Sequence, residues 1–315
     1  MTLTQLSSFV MVARLGSVTA AASALGVSEP AVSQALAALR GHFADQLIKR
    51  GTGGGMRLTP AGARLLPVAS QMVALGADAA AAVRSAQGAP DQLRLVATST
   101  VAEFVVPSLV AAFADRAGRK IDISSGVATA GEIRVLLENR LADLAIGLSL
   151  ATRDGELVSE PVYRTQLVVA ASRTARLPGD PHQWHWLVDS SGTDPDSDYA
   201  RLLRQLHVTE QQTRVFPNQT SAWAAAAEGA GVAPAPAHLI AGRIRRGELG
   251  LVDTPATPTV STWYCTSLPA ERRSAATDAF LHFARSAVGT RIMREPGAGV
   301  PPSRFRPPVY VTLWS

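Results

Sequence analysis

Hydrophobic residues in the first part of the chain recur with the 3.6-residue period of helices. The first set predicts an amphipathic helix: Leu3, Leu6, Phe9, Val10 and Ala13. A second helix, residues 19–25, is predicted to end at Gly26, because glycine readily adopts the left-handed conformation of a helix end. A third begins after a tight turn, with Ser28 as N-cap and Pro30 in its first turn. This pattern is typical of a helix-turn-helix, whose second helix can enter the DNA major groove.

The third helix is predicted to have two different faces. An apolar stripe is expected to face the core: Val32, Ala35, Leu36, Leu39 and Phe43. The opposite face holds small and polar residues: Pro30, Gln34, Ala37, Ala38 and Gly41, with Ser33 and Arg40 on one flank. Gln34 can pair bidentately with adenine, so this face is a candidate for base contacts. The alternative is an ordinary helical hairpin within a protein core.

Two short strands, residues 47–50 and 56–59, follow the third helix and are separated by the glycine-rich residues 51–55. They predict a two-stranded wing. Lys49, Arg50 and Arg57 would lie beside the DNA backbone. Residues 1–60 contain five Lys/Arg and two acidic residues, a net charge of +3 by subtraction, which is the sign that phosphate attracts.

A long helix is predicted from Pro60 to about residue 87, with Thr59 as its cap. Apolar residues recur along it at alternating spacings of three and four: Leu65, Val68, Met72, Leu75, Ala79, Ala82 and Ala86. Such a heptad seam predicts pairing with the same helix of a second subunit, chiefly through its first four members. The alternative is packing against the chain's own later domain.

From residue 93 the pattern alternates between strands and helices, which predicts an α/β fold with parallel strands. The first set has strands at 93–98, 121–125 and 144–147, with helices near 107–116 and 131–139. The second set has strands near 167–171, 186–189, 213–216, 231–233 and 260–265. Two such sets predict two lobes with a cleft between them, the first near 91–161 and 266–290 and the second near 162–265.

Polar residues lie at the carboxyl ends of these strands, where ligands gather in open parallel sheets. The candidates in the first lobe are Thr98, Ser99, Thr100 and Thr129. In the second lobe Asn218 and Thr220 open an alanine-rich helix. Hydroxyls and backbone amides there suit a small anion, above all an organic carboxylate. The alternative is that the same residues only cap helices.

Length, net charge and cysteine content limit the kinds of protein that this chain can be. A length of 315 residues suggests two or three domains, and a net charge of +5 with a pI near 10.0 favours an anionic partner. The single cysteine, Cys265, excludes an intrachain disulfide and a sensor that works by forming one.

The first residues do not resemble a signal peptide, and the apolar run 222–241 contains Glu228 and two prolines. We therefore expect a cytosolic protein, with a basic, proline-rich and flexible tail at 291–315.

Catalytic motifs are missing from the sequence, which contains no G-x-S-x-G, H-E-x-x-H or P-loop. His182 and His185 lie three residues apart in a loop, which is a weak metal signal without companions. We expect no enzyme activity, no cofactor and no metal.

The first 65 residues closely resemble the LysR-type transcriptional regulators, and the likeness continues more loosely to about residue 287. The matching residues are Phe9, Ala13, Gly16-Ser17, Thr19, Ala21-Ala22, Leu25, Val27-Ser28, Pro30-Ala31-Val32-Ser33, Leu39, Leu47, Arg50, Leu58-Thr59-Pro60-Ala61-Gly62 and Ala142-Asp143-Leu144-Ala145-Ile146-Gly147. Two residues depart from the family pattern: Arg40 replaces a glutamate, and Gln34 replaces a basic residue.

The resemblance implies a winged helix-turn-helix (1–59), a linker and dimerisation helix (60–90) and an effector domain (91–290) that shares its fold with periplasmic solute-binding proteins. It implies an effector between the lobes, near Thr98, Ser99, Thr100 and Thr129. The implied partners are promoter DNA, a small effector, further copies forming a dimer or tetramer, and RNA polymerase. Two other hypotheses stay open: a ligand-independent regulator, and a solute-binding protein or enzyme with a vestigial DNA-binding head.

Overall fold

The computed structural model describes residues 1–50, 56–87, 89–118, 121–150 and 156–297. Their contacts divide the chain into two compact units. The N-terminal unit contains residues 1–91 and 131–142, and the C-terminal unit contains the described residues of 92–130 and 143–297. No helix within these ranges is both long and apolar enough to cross a membrane.

The helices and strands follow the predicted order closely. The helices are α1 (Leu3–Leu15), α2 (Val18–Leu25), α3 (Glu29–Phe43), α4 (Pro60–Ala86), α5 (Ser99–Phe104), α6 (Val106–Ala117), α7 (Ala130–Glu138), α8 (Asp198–Gln205), α9 (Gln219–Ala227), α10 (Ala237–Arg245), α11 (Ala275–Ala284) and α12 (Ala287–Arg294). The strands are β1 (Ile48–Arg50), β2 (Met56–Leu58), β3 (Asp91–Ala97), β4 (Ile121–Val127), β5 (Leu144–Gly147), β6 (Val158–Ala171), β7 (Trp186–Val188), β8 (Thr213–Val215), β9 (Val232–Pro236), β10 (Gly250–Val252) and β11 (Thr259–Ser267).

The helices of the N-terminal unit begin and end at the capping residues that the sequence predicts. Gly26 ends α2 with a φ of 66°, and the Ser28 side chain accepts a hydrogen bond from the Ala31 N–H at 3.4 Å. Thr59 caps α4 through the Gly62 N–H at 3.0 Å. The core packs α1 against α3 and α4, and its buried residues are Leu6, Phe9, Val10, Leu39, Leu47, Ala69 and Val73.

The prediction that the whole apolar stripe of α3 faces the core is wrong at the C-terminal end of the helix. Val32 and Leu39 are fully buried, and Ala35 and Leu36 are half-buried, but Phe43 is 39% exposed. Phe43 is the last residue of α3, and Ala44 takes a left-handed φ of 51° directly after it. The chain therefore turns away before the stripe can continue into the core.

The heptad seam of α4 is divided between two environments. Leu65 and Met72 are half-buried and pack against the core beneath α1. Val68 and Leu75 remain 52% and 66% exposed, and Ala79, Ala82 and Ala86 are exposed as well. The helix thus buries one side of the seam against its own N-terminal unit and leaves the other side uncovered.

In the C-terminal unit the described strands form a nine-stranded sheet in the order β4-β3-β5-β11-β6-β9-β7-β8, with β10 paired to β6. β3 and β5 run parallel in one half, and β7, β8 and β9 run parallel in the other. The long strands β6 and β11 pair antiparallel with each other, and they join the two halves. We refer to these halves as lobe 1 and lobe 2.

Several features of this unit differ from the prediction. β6 begins at Val158, whereas the predicted strand begins only near residue 167. The first half of β6 is partly exposed on both faces and lacks a clear apolar alternation, so its sequence pattern does not indicate a strand. The short helix α5 and the strand β10 were not predicted. α12 extends to Arg294 with Met293 fully buried, so residues 291–294 are not part of a flexible tail. Residues 298–315 lie outside the described residues.

Cys265 lies in β11 and is buried, as the sequence predicts. Burial raises the pKa of its thiol to about 12. The thiolate, which is the reactive form of cysteine, is therefore scarce at neutral pH.

Candidate functional site

The outward face of α3 carries the predicted base-contacting residues. Pro30, Gln34 and Ala37 lie opposite the buried Val32 and Leu39, Ser33 lies on one flank, and Ser28 is the N-cap; all five candidates are exposed. Apart from Gln34 these side chains are small. A helix with this surface can approach the floor of a major groove closely, and Gln34 is the longest of these side chains.

The wing places two cations opposite each other. β1 and β2 pair antiparallel, and Lys49 lies directly across from Arg57. Both side chains are exposed, and neither forms an ion pair within 4 Å among the described residues. Like charges that face each other across a strand pair are unfavourable unless an anion lies beside them. Arg50 pairs with Met56, but its side chain and residues 51–55 lie outside the described residues.

A set of polar contacts fixes the wing to the start of α4. The Asp45 carboxylate accepts the Leu47 N–H at 2.6 Å and the Thr59 hydroxyl at 2.8 Å, and these bonds lower the pKa of Asp45. Leu47 takes a positive φ of 58°, and its carbonyl accepts the Thr59 N–H at 2.9 Å. A Cβ built on Gly62 would lie 2.0 Å from that carbonyl oxygen. Position 62 therefore has to be glycine, because a side chain there would prevent the start of α4 from packing against Leu47.

Three of the four predicted effector residues of lobe 1 lie at the start of α5. Thr98 packs against Gly147, where a Cβ would come within 2.6 Å of the threonine methyl group. The buried Ser99 hydroxyl donates to the Asp189 carboxylate of lobe 2. The Thr100 hydroxyl lies 3.3 Å from the Tyr199 hydroxyl, also in lobe 2. Thr129 is half-buried just before α7. Ser99 and Thr100 thus lie where the two lobes meet.

The predicted residues of lobe 2 lie at the N-terminus of α9. Asn218 is buried and caps the helix by accepting the Ser221 N–H at 2.8 Å. Thr220 donates its hydroxyl and its backbone N–H to the Glu103 carboxylate of α5, and Gln219 donates its N–H to the other oxygen of the same group. The sequence predicted donors at this helix end, and the structure adds the acid that they bind.

Three buried acids at the lobe junction were missed by the sequence analysis. They are Glu103, Asp189 and Asp194, and Asp194 accepts the Ala130 N–H at the start of α7 at 2.8 Å. Burial raises the pKa of each carboxyl group. No ion pair in the described part of the chain involves any of them. Helix N-termini and hydroxyls therefore supply the stabilising positive potential.

Sequence comparison connects these surfaces with a known family. The family described as "Bacterial regulatory helix-turn-helix protein, lysR family" matches residues 3–63, and "LysR substrate binding domain" matches residues 86–289. The chain belongs to the LysR family. As a LysR-type regulator it combines a DNA-binding winged helix-turn-helix with an effector domain of the fold found in periplasmic binding proteins.

Individual relatives agree with this family. Over the full length of both proteins, the LysR-type chain is 33% identical to the "Uncharacterized HTH-type transcriptional regulator Rv0377" of Mycobacterium tuberculosis. It is 26% identical to the transcriptional regulator CfxR of Cupriavidus necator, covering 96% of this chain and 97% of that one. Its fold is similar to the crystal structure of a full-length variant of AphB, with a TM-score of 0.60 and 18% identity over 91% of this chain and 99% of that chain. The family descriptions and the relatives' names indicate transcriptional regulators, not enzymes.

Proposed function

We propose that this LysR-type regulator binds promoter DNA through α3 and the wing, with separate roles for the two. The wing residues Lys49, Arg50 and Arg57 would hold phosphates and set the register of the protein on DNA. Ser33 and Gln34 would read bases in the major groove, flanked by Ser28, Pro30 and Ala37. This proposal rests on one observation. The exposed face of α3 lies beside a wing in which Lys49 and Arg57 face each other, and neither cation has an acidic partner within 4 Å among the described residues.

We also propose that the regulator acts as a homodimer or homotetramer in the cytoplasm, where it meets promoter DNA and RNA polymerase. The exposed side of the α4 seam supports pairing, because Val68 and Leu75 leave apolar surface uncovered. Leu65 and Met72 flank this surface and would complete a coiled-coil contact. A two-fold protein can then span two half-sites on DNA.

The effector is proposed to be a small carboxylate that binds between the lobes. Support comes from the N-terminus of α9, which already holds a carboxylate group with three donors. Thr98, Ser99, Thr100, Thr129, Asn218 and Thr220 are the proposed surrounding residues. Binding would change DNA recognition only if the ligand prefers one arrangement of the subunits over another.

Titration on DNA tests the proposed function. The purified protein is added to a labelled fragment from upstream of its own gene, and to a scrambled fragment of equal length, at several salt concentrations. We expect tighter binding to the native fragment, with a preference that persists as salt increases, because base contacts depend less on counterion release than phosphate contacts do. Equal affinity on both fragments, followed by no enriched sequence in a genome-wide binding selection, would contradict sequence-specific regulation.

Replacing Gln34 with alanine is expected to weaken specific binding about tenfold or more while leaving non-specific affinity nearly unchanged. The substitution removes one base-reading amide and no phosphate contact. The slope of affinity against salt should therefore match that of the wild-type protein. Gln87→Ala is the matched control, because Gln87 is also exposed but lies beyond the end of α4. Equal losses on specific and scrambled DNA would exclude base reading by Gln34.

A further inference from the structure

Helix α7 is buried on two opposite faces. Ile133 and Leu137 lie one turn apart on one face, and they are 1% and 0% exposed. Val135 lies two positions from each of them, on the opposite face, and is only 6% exposed. A helix at the surface of a soluble domain normally leaves one face to water. Another part of the protein must therefore cover the face that carries Val135, which we call the outer face of α7.

The DNA-binding head, residues 1–59, covers this outer face. Val135 belongs to one apolar cluster with five buried residues of the head: Met11, Val12, Ala21, Ala22 and Val32. Two partly buried leucines that follow Val135 pack against the same cluster: Leu136 and Leu141. An ion pair accompanies the apolar contact, because Arg14 Nη1 in the last turn of α1 lies 3.5 Å from Glu138 Oε2 at the end of α7. All these residues belong to the N-terminal unit.

The two ends of the α7 segment are held by the C-terminal unit. Ala130, the first residue of α7, belongs to that unit and donates its N–H to Asp194 of lobe 2 at 2.8 Å. After the helix, Asp143 forms a bidentate ion pair with Arg94 of β3, with N–O distances of 2.7 and 3.0 Å. A helix of nine residues is about 14 Å long and moves as one body. A shift of its first turn therefore also moves the face that contacts the head.

We propose that α7 transmits the arrangement of the two lobes to the DNA-binding head: its outer face is the docking surface of the head, and Asp194 of lobe 2 positions its first turn. This inference rests on the proposed function, in which an effector between the lobes changes DNA recognition. Thr129, one of the proposed effector residues, directly precedes α7, so a ligand there would act on the same turn. The signal would reach the head through α7 and would not depend on the long helix α4.

Crosslinking tests the docking surface. Arg14→Cys and Glu138→Cys are combined in the full-length protein, and a short bis-maleimide is added. Cys265 is buried and the pKa of its thiol is about 12, so the two introduced thiols react in preference. We expect a crosslink within one chain, which runs as a monomer on a denaturing gel and joins the two peptides in mass spectra.

Thr4→Cys combined with Glu138→Cys is the matched control for this crosslink. Thr4 is exposed on the same helix as Arg14, but it lies about 15 Å away from it along the helix axis. The control pair should crosslink about tenfold more slowly or less, because the reagent cannot span the added distance.

A substitution in lobe 2 tests the transmission. Asp194→Ala removes the acceptor of the Ala130 N–H and leaves every residue of the head unchanged. We expect hydrogen exchange to become about fivefold faster in α7, α1 and α2, which is the usual effect of losing one hydrogen bond. Ser197→Ala is the matched control, because Ser197 lies three residues from Asp194 and caps α8 by accepting the Ala200 N–H at 2.9 Å. This control should loosen lobe 2 and leave exchange in α1 and α2 unchanged.

Two sets of results would overturn the proposal. No crosslink, or a crosslink only between two chains, would mean that the head does not dock on α7 of its own chain. Unchanged exchange in α1 and α2 of Asp194→Ala, or equal changes in both variants, would mean that Asp194 only stabilises the lobes. If Asp194→Ala does not fold, Asp194→Asn takes its place, since an amide nitrogen replaces one acceptor oxygen and weakens the bond to Ala130. Neither experiment contains DNA, so both are independent of whether the protein reads DNA sequence.

Discussion

Gly62→Ala is expected to destabilise the N-terminal unit by about 3 kcal/mol and to abolish specific DNA binding. The added methyl group would lie 2.0 Å from the Leu47 carbonyl oxygen and 2.9 Å from its carbonyl carbon. These are backbone atoms, so no side-chain rotation can relieve the overlap. Leu47 is also held in place by its hydrogen bonds with Asp45 and Thr59. The start of α4 must therefore separate from the wing, which carries Lys49 and Arg57.

Thermal unfolding and DNA titration together check this expectation. Gly131→Ala is the matched control, because a Cβ on this exposed residue of α7 meets nothing within 4 Å. Alanine in a helix is favoured over glycine by about 0.5–1 kcal/mol, so the control should be as stable as the wild-type protein or slightly more stable. A Gly62→Ala protein with wild-type unfolding temperature and DNA affinity would mean that the close contact between α4 and the wing is not required.

Trp223→Ala is expected to destabilise the C-terminal unit by about 3–5 kcal/mol. Trp223 is 1% exposed, stacks on Phe104 across the lobe junction and donates its indole N–H to the Pro234 carbonyl at 3.1 Å. Truncation would leave a cavity at the contact that positions Glu103 and α9. We therefore expect a lower denaturation midpoint.

Chemical denaturation of the alanine and phenylalanine variants separates packing from hydrogen bonding. Trp223→Phe keeps an aromatic ring against Phe104 and removes only the indole donor. The Pro234 carbonyl keeps a second donor, the Gln219 side-chain amide at 3.0 Å, so this variant should lose less than half as much stability as Trp223→Ala. Comparable losses in both variants would indicate that the indole hydrogen bond, rather than the stacked ring, stabilises the junction.

The two halves of the chain differ in how much of their structure was predictable. In the N-terminal unit, signals that act within three or four residues set the helix ends, as with Gly26, Ser28 and Thr59. Those predictions are confirmed. Phe43 was assigned to the core from periodicity alone, and this was wrong because the helix ends at that residue. Periodicity cannot show where the neighbouring core ends.

At the lobe junction, the sequence indicated at most one partner of each contact. Thr220 was predicted because polar residues that open a helix follow a local rule. Glu103, Asp189 and Asp194 gave no such signal, since an acidic residue in sequence is normally expected on the surface. Their buried positions depend on hydroxyl and N–H donors that come from other segments of the chain.

The sequence by itself determined the family, the winged helix-turn-helix, the long α4 helix and the order of the α/β elements, because these depend on short-range spacing and on a dense set of matching residues. Tertiary structure alone decided that α4 buries one side of its seam, that Gly62 has no room for a side chain, and that Glu103 reaches the N-terminus of α9. Each of these depends on atoms brought together from distant parts of the chain, and burial changes the energy of a carboxylate only after the chain has folded around it.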